Sequence, residues 1–162
     1  MAGLTVVAAA PEPTPAAPAG AGPGEPAHGG RPLPPPLPGP DLVSRVLGLP
    51  LPPRPTARPG YGALEGPGMH AAFGAPGLGW VEMQWIEPDL IDEPRDQETR
   101  WLPVAGLGDE GYVHNYGREV IARRGPHVLR VEVQLAGGRE VSGPAVVALA
   151  RAVLDAVPSP TA

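Results

Sequence analysis

The stretch that most constrains what this chain can fold into runs from Val104 to Val157, VAGLGDEGYVHNYGREVIARRGPHVLRVEVQLAGGREVSGPAVVALARAVLDAV. One part of it fits a half-covered strand and the next a half-covered helix. Between His127 and Leu135, the residues Leu129, Val131, Val133 and Leu135 alternate with Val128, Arg130, Glu132 and Gln134. That alternation sends one set to each face of a sheet, the pattern of antiparallel strands with one side covered. Glu119 to Arg123 precedes it across Arg124-Gly125-Pro126, which predicts a hairpin. After Gly137-Gly138, Ser142 is placed to cap a helix in which Val146, Leu149, Ala150, Val153 and Val157 recur at helical spacing, and Pro158 stops it. Neither element can leave its apolar side in water. Burying the two sides together contributes roughly 1.5–3 kcal/mol per large aliphatic side chain.

Upstream, Leu78 to Ile86 reads as a strand with Val81, Met83 and Trp85 on one face and Trp80, Glu82, Gln84 and Ile86 on the other. Met69 to Phe73, across the Gly74-Ala-Pro-Gly77 turn, is the expected hairpin partner. Asp41 to Gly48 carries an N-cap residue, apolar positions at Leu42, Val43, Val46 and Leu47, and a terminal glycine, which predicts a two-turn helix. So short a helix needs something to dock on. Glu87 to Arg100 is acid-rich and interrupted by Pro88 and Pro94. Asp89, Asp92, Glu93 and Asp96 lack the spacing of a calcium loop, so the segment reads as solvated loop, with a helical turn near Asp96 to Trp101.

The first forty residues differ in kind. Most of the 26 Pro lie before Tyr61, and Glu12, Glu25 and Arg31 are the only charges before Asp41. Such a segment buries too little to offset its ordering entropy, so disorder or polyproline II is expected. Met1 to Ala10 is apolar and ends in small residues, which matches part of an export signal but lacks the basic start; an Ala-rich tail is the alternative. Arg31 to Pro38, RPLPPPLP, is either a stiff spacer or a ligand for aromatic-lined grooves. The expected organisation is therefore 1–40 leader and spacer, 41–158 one α+β domain, and 159–162 tail. The domain is a small antiparallel sheet covered on one face by the C-terminal amphipathic helix and the short N-terminal one.

Several functions are disfavoured. A net charge of -5 argues against nucleic acid as partner. Without Cys there is no disulfide, thiolate metal site or thiol nucleophile. Gly106-Leu-Gly-Asp-Glu-Gly111 has dinucleotide-loop spacing, but it is followed by strand-like Tyr112 to Tyr116 instead of a helix, so its glycines are read as turn residues and no cofactor is expected. The His residues at 28, 70, 114 and 127 have no metal-ligand spacing, and no metal is expected.

The motif Val104-Ala-Gly-Leu-Gly-Asp-Glu-Gly-Tyr112, with the Arg124-Gly125 hairpin and the helix Ala145 to Val157, resembles a family of actinobacterial exported lipoproteins of unknown function. These are similar to LpqN-type lipoproteins and to the extracellular sensor domains of PknH-type kinases. The resemblance covers about Asp41 to Val157 and implies a PsbP-like α+β fold and an extracytoplasmic address, near a membrane through a cleaved or missing N-terminal anchor. Unlike family members, this chain has no lipobox Cys and no Cys pair. The family brings no catalytic residues to carry over.

Three functions follow for testing. The first is a non-enzymatic envelope domain that binds a ligand or protein partner, with Trp80, Trp101, Tyr112 and His114 as candidate contacts; packing is the other role open to each Trp. The second is a proline-rich adaptor acting through Arg31 to Pro38. The third is an enzyme built on His114 with Asp109 and Glu110, or on His127.

Overall fold

Two antiparallel units meet side by side to make the sheet. The computed structural model describes residues 30–54, 60–137 and 143–158. Strands β1 (His70–Ala75) and β2 (Gly79–Ile86) form the first hairpin. Strands β3 (Trp101–Pro103), β4 (Glu110–His114), β5 (Glu119–Arg124) and β6 (His127–Leu135) form a four-stranded meander. β6 then pairs with β2, giving one six-stranded antiparallel sheet in the order β1-β2-β6-β5-β4-β3. Helices α1 (Pro40–Leu47) and α3 (Gly143–Asp155) pack on one side of it. The expected α+β class holds, with a sheet larger than the two or three strands that the Val104–Val157 block alone supplies.

The side-chain alternation read from β2 and β6 is the division of the two faces. Val81, Met83 and Trp85 join Leu129, Val131 and Val133 in the main core, where Val146, Leu149, Ala150, Val153 and Leu154 of α3 close over them. All of these are essentially inaccessible to solvent. Of the two tryptophans on β2, Trp85 is the core residue, at 1 % exposed, and Trp80 is only partly buried on the other face.

Local signals place the helices with small corrections. α1 starts one residue before Asp41: Gly39 is the cap, Pro40 occupies the first turn, and Asp41 sits inside that turn, where a carboxylate suits the helix dipole. Gly48 ends it in the left-handed region at φ 68°. The proposed Ser142 cap of α3 lies outside the described residues. The acid-rich segment is not all loop. A 3-10 helix, Pro88–Ile91, runs into α2 (Asp92–Asp96), ahead of the expected turn, and within Asp96 to Trp101 the Arg100 and Trp101 N–H groups both donate to Gln97 O, closing a turn there as well. Pro88 suits a helix start, because its missing N–H would be unpaired there anyway.

The larger correction concerns Arg31 to Gly39, expected to belong to a disordered spacer. Pro34 is buried, the Trp85 indole N–H donates to the Pro35 carbonyl at 2.8 Å, and the Leu37 N–H donates to the Gly68 carbonyl at 2.9 Å. Leu37 packs on the main core. A proline run enters such a site with its φ angles already restricted, so it loses less entropy than an ordinary segment when it docks. Packed chain is therefore present from Arg31 onward, ten residues ahead of Asp41; residues 1–29 lie outside the described ones.

Neither margin of the sheet offers a free run of N–H donors. Along β1, the Arg54 N–H donates to Ala72 O at 3.0 Å and the Gly74 N–H to Pro52 O at 2.9 Å. Along β3, Val104 N–H and Arg100 O face β4, which turns Trp101 and Pro103 outward. Trp101 N–H is taken by Gln97 O at 3.0 Å, and Pro103 has no N–H.

Candidate functional site

The helices cover one face of the sheet, and the opposite face is divided. At one end the 3-10 helix and α2 lie over it, and Ile86, Ile91, Trp101, Ile121 and Val128 make a second, smaller core. Arg95 of α2 clamps this layer to β4: its Nε and Nη2 donate to the two Glu110 oxygens at 2.9 and 2.7 Å. Arg123 approaches the same carboxylate at 3.1 Å, and the Tyr112 hydroxyl donates to it at 2.8 Å. The Arg95 hydrogen bond holds the Glu110 carboxyl below its ordinary range, and burial together with Glu110 pushes the Tyr112 phenol up.

Beyond that layer the face is open, and three of its carboxylates fall into one cross-strand row. Glu82 pairs with Glu132, and Glu132 with Glu119. The pairing of Val113 with Val120 sets the next residue on β4, His114, beside Glu119, and His114 pairs with Trp101 on β3. Three carboxylates thus stand side by side, followed by an imidazole and an indole. Arg130 on the same face binds Glu119 at 2.6 Å and reaches Glu132 only at 3.8 Å. Partial burial and then the Glu119 charge raise the Glu132 pKa, with Glu82 adding to the rise and Arg130 opposing it.

Two adjoining clefts open on this row and share His114 and Glu119. One, of about 160 Å³, runs from the sheet under Leu90 and Glu93 of the helical layer and is flanked by Tyr61 and Arg100. The other, of about 580 Å³ and more open, is bounded by Tyr116, Arg118 and Glu132. The His114 ring sits edge-on to Trp101, with centroids 4.9 Å apart, and 5.1 Å from Tyr116. Tyr61 and Tyr116 are 87 % and 78 % exposed.

Of the four residues picked out from the sequence, the structure brings two together at the clefts, His114 and Trp101. Trp101 is mainly a packing residue, 4 % exposed in the smaller core, and its indole N–H has no acceptor among the described residues. Tyr112 shares that face but is tied to Glu110 and lines neither cleft. Trp80 lies on β2, with β6, β5 and β4 between it and Trp101, so it belongs to a different part of the face. The partners considered for catalysis are also apart. Asp109 accepts from the Gly125 N–H at 2.6 Å, Glu110 is held by Arg95, and His127 lies 6.1 Å from Trp85 on the helix side, where burial lowers its pKa.

What sequence reasoning missed is the row itself. Glu119, Glu132 and Glu82 read as ordinary solvent-face residues of three separate strands, and only the register shows that they face one another. Tyr61, Arg118 and Tyr116 come from turns, which carry no periodicity. Among the described residues, no group of His, Asp or Glu is placed to hold a metal ion, and no helix is long and apolar enough to cross a membrane. No family model, curated protein or solved structure matches this chain.

Proposed function

We propose that the protein is a non-enzymatic binding domain of the cell envelope that receives its ligand in the clefts around His114 and Glu119. The observation that carries this reading is the Glu82–Glu132–Glu119 row. Like charges directly opposite on neighbouring strands destabilise a sheet, and a polar substitution at Glu132, which faces both of the others, would relieve the cost. Local violations of this kind gather at functional sites, and this one opens onto two clefts walled by exposed aromatic rings. The envelope address rests on the apolar, small-residue start of the sequence and on the resemblance to exported lipoproteins. The adaptor reading of Arg31 to Pro38 has less support, because Pro34, Pro35 and Leu37 are held by the domain itself.

Two experiments test the two halves. Fractionation of native cells with N-terminal sequencing should find a mature start near Pro11 outside the cytoplasmic membrane; an intact Met1 in the cytosol overturns the address. A fragment screen by NMR on isotope-labelled protein should shift the Trp101 indole and His114 signals. Hits that gather instead over α3 would remove the open face from consideration.

A further inference from the structure

We infer that the ligand of these clefts is a carbohydrate, an uncharged polyhydroxylated chain lying along the open face between Tyr61 and Tyr116; this rests on the reading of the clefts as a binding site. The walls balance in charge: Glu93, Glu119 and Glu132 stand against Arg100, Arg118 and Arg130. A strongly charged ligand of either sign would therefore meet as many like charges as opposite ones. A purely apolar ligand would strip water from these six groups without replacing their hydrogen bonds. Sugar hydroxyls do replace them, because each donates one hydrogen bond and accepts others.

The inventory suits that exchange. Among the described residues Arg100, Arg118 and Glu93 have no side-chain hydrogen bond or ion pair, so their full capacity is open to a ligand. A guanidinium presents parallel N–H groups to neighbouring hydroxyl oxygens, and a carboxylate accepts from hydroxyl protons. The rings supply the remaining contact. Tyr61 and Tyr116 stand 87 % and 78 % exposed, and the His114 ring lies between Tyr116 and Trp101. An aromatic face pairs a large apolar surface with a polar rim, which matches the C–H faces and hydroxyl edges of a pyranose. Length follows from the adjoining clefts: they meet at His114 and Glu119, so a ligand that fills both must be extended, which suits an oligosaccharide more than a compact molecule.

The test is an NMR titration of the isotope-labelled full chain at millimolar concentrations of cellotetraose, chitotetraose and mannotetraose, beside spermidine and citrate as charged probes. At least one neutral tetrasaccharide should give saturable shifts at the Trp101 indole and the Tyr116 amide. Tyr116→Ala and Tyr61→Ala should each weaken that binding by about tenfold with an unchanged melting temperature, since both rings are exposed. Saturable shifts at the same signals with spermidine or citrate, and none with the sugars, would overturn the carbohydrate class while leaving the clefts as the binding site. No response of these signals to any of the five probes would overturn both.

Discussion

Glu132 shows at the scale of one residue how the open face is strained. It lies between Glu82 and Glu119, and its pKa is raised by burial and by the Glu119 charge. A carboxyl whose folded pKa exceeds its unfolded one binds more protons in the native state, so stability falls as pH rises through the folded value. Glu132→Gln should therefore raise stability at neutral pH by about 0.5–1 kcal/mol. The gain should shrink as the solution is acidified toward the ordinary carboxylate range, which thermal melts at a series of pH values would show. Glu110 behaves in the opposite sense. Arg95 lowers its pKa, so its contribution is present above the ordinary carboxylate range and is lost as pH falls through the depressed value. Glu110→Gln should cost about 1 kcal/mol at neutral pH, with a deficit that closes in acid. A backbone position offers a third check. Gly108 sits at φ 64°, and a Cβ there would overlap the Arg123 carbonyl oxygen. Gly108→Ala should cost about 1–3 kcal/mol in chemical denaturation, which supports reading the Gly106 to Gly111 motif as turn chemistry.

Elements were legible in proportion to how much of their pattern is local. β2, β6 and α3 each carry their periodicity within one uninterrupted run, β5 follows from the turn at Arg124-Gly125-Pro126, and all four form where the sequence places them. α2 was missed because its five residues, DEPRD, have no apolar period to read; it is held by Arg95 reaching Glu110 on another element. The docked proline segment was missed for a related reason. Composition shows that such a run cannot form a core of its own, and it is silent on whether a neighbour offers an indole donor. Trp85 does, and the segment can be tested through it. Trp85→Phe keeps most of the buried ring but leaves the Pro35 carbonyl without its donor. The cost should be about 1–2 kcal/mol, concentrated on the segment, so hydrogen exchange at the Leu37 amide should accelerate more than exchange in β6.

For the whole molecule, the main core joins α1, α3, β1, β2, β5 and β6, and the domain should respond to injury there as a unit. Leu149 is fully buried where α3 meets the sheet. Leu149→Ala should cost about 2–5 kcal/mol and shift a single melting transition instead of splitting it. The face-splitting of β2 and β6 made this layered arrangement readable, since an apolar sheet face and an apolar helix face have only each other to cover them. The site was less readable. His114 and Trp101 could be picked out as unusual residues, but the carboxylate row exists only once three distant strands are set in register.

The donor-poor margins of the sheet carry a consequence of their own. An exposed strand edge is a template for another chain, whether a peptide partner or a further copy in a fibril. On β1 the template is already used by Pro52 and Arg54, and on β3 the outward positions offer no spare N–H donor. Main-chain zippering is thus impeded at both ends of this sheet, and recognition of a partner falls to side chains. Such recognition is specified residue by residue, so its selectivity is open to change by single substitutions in a way that backbone pairing is not.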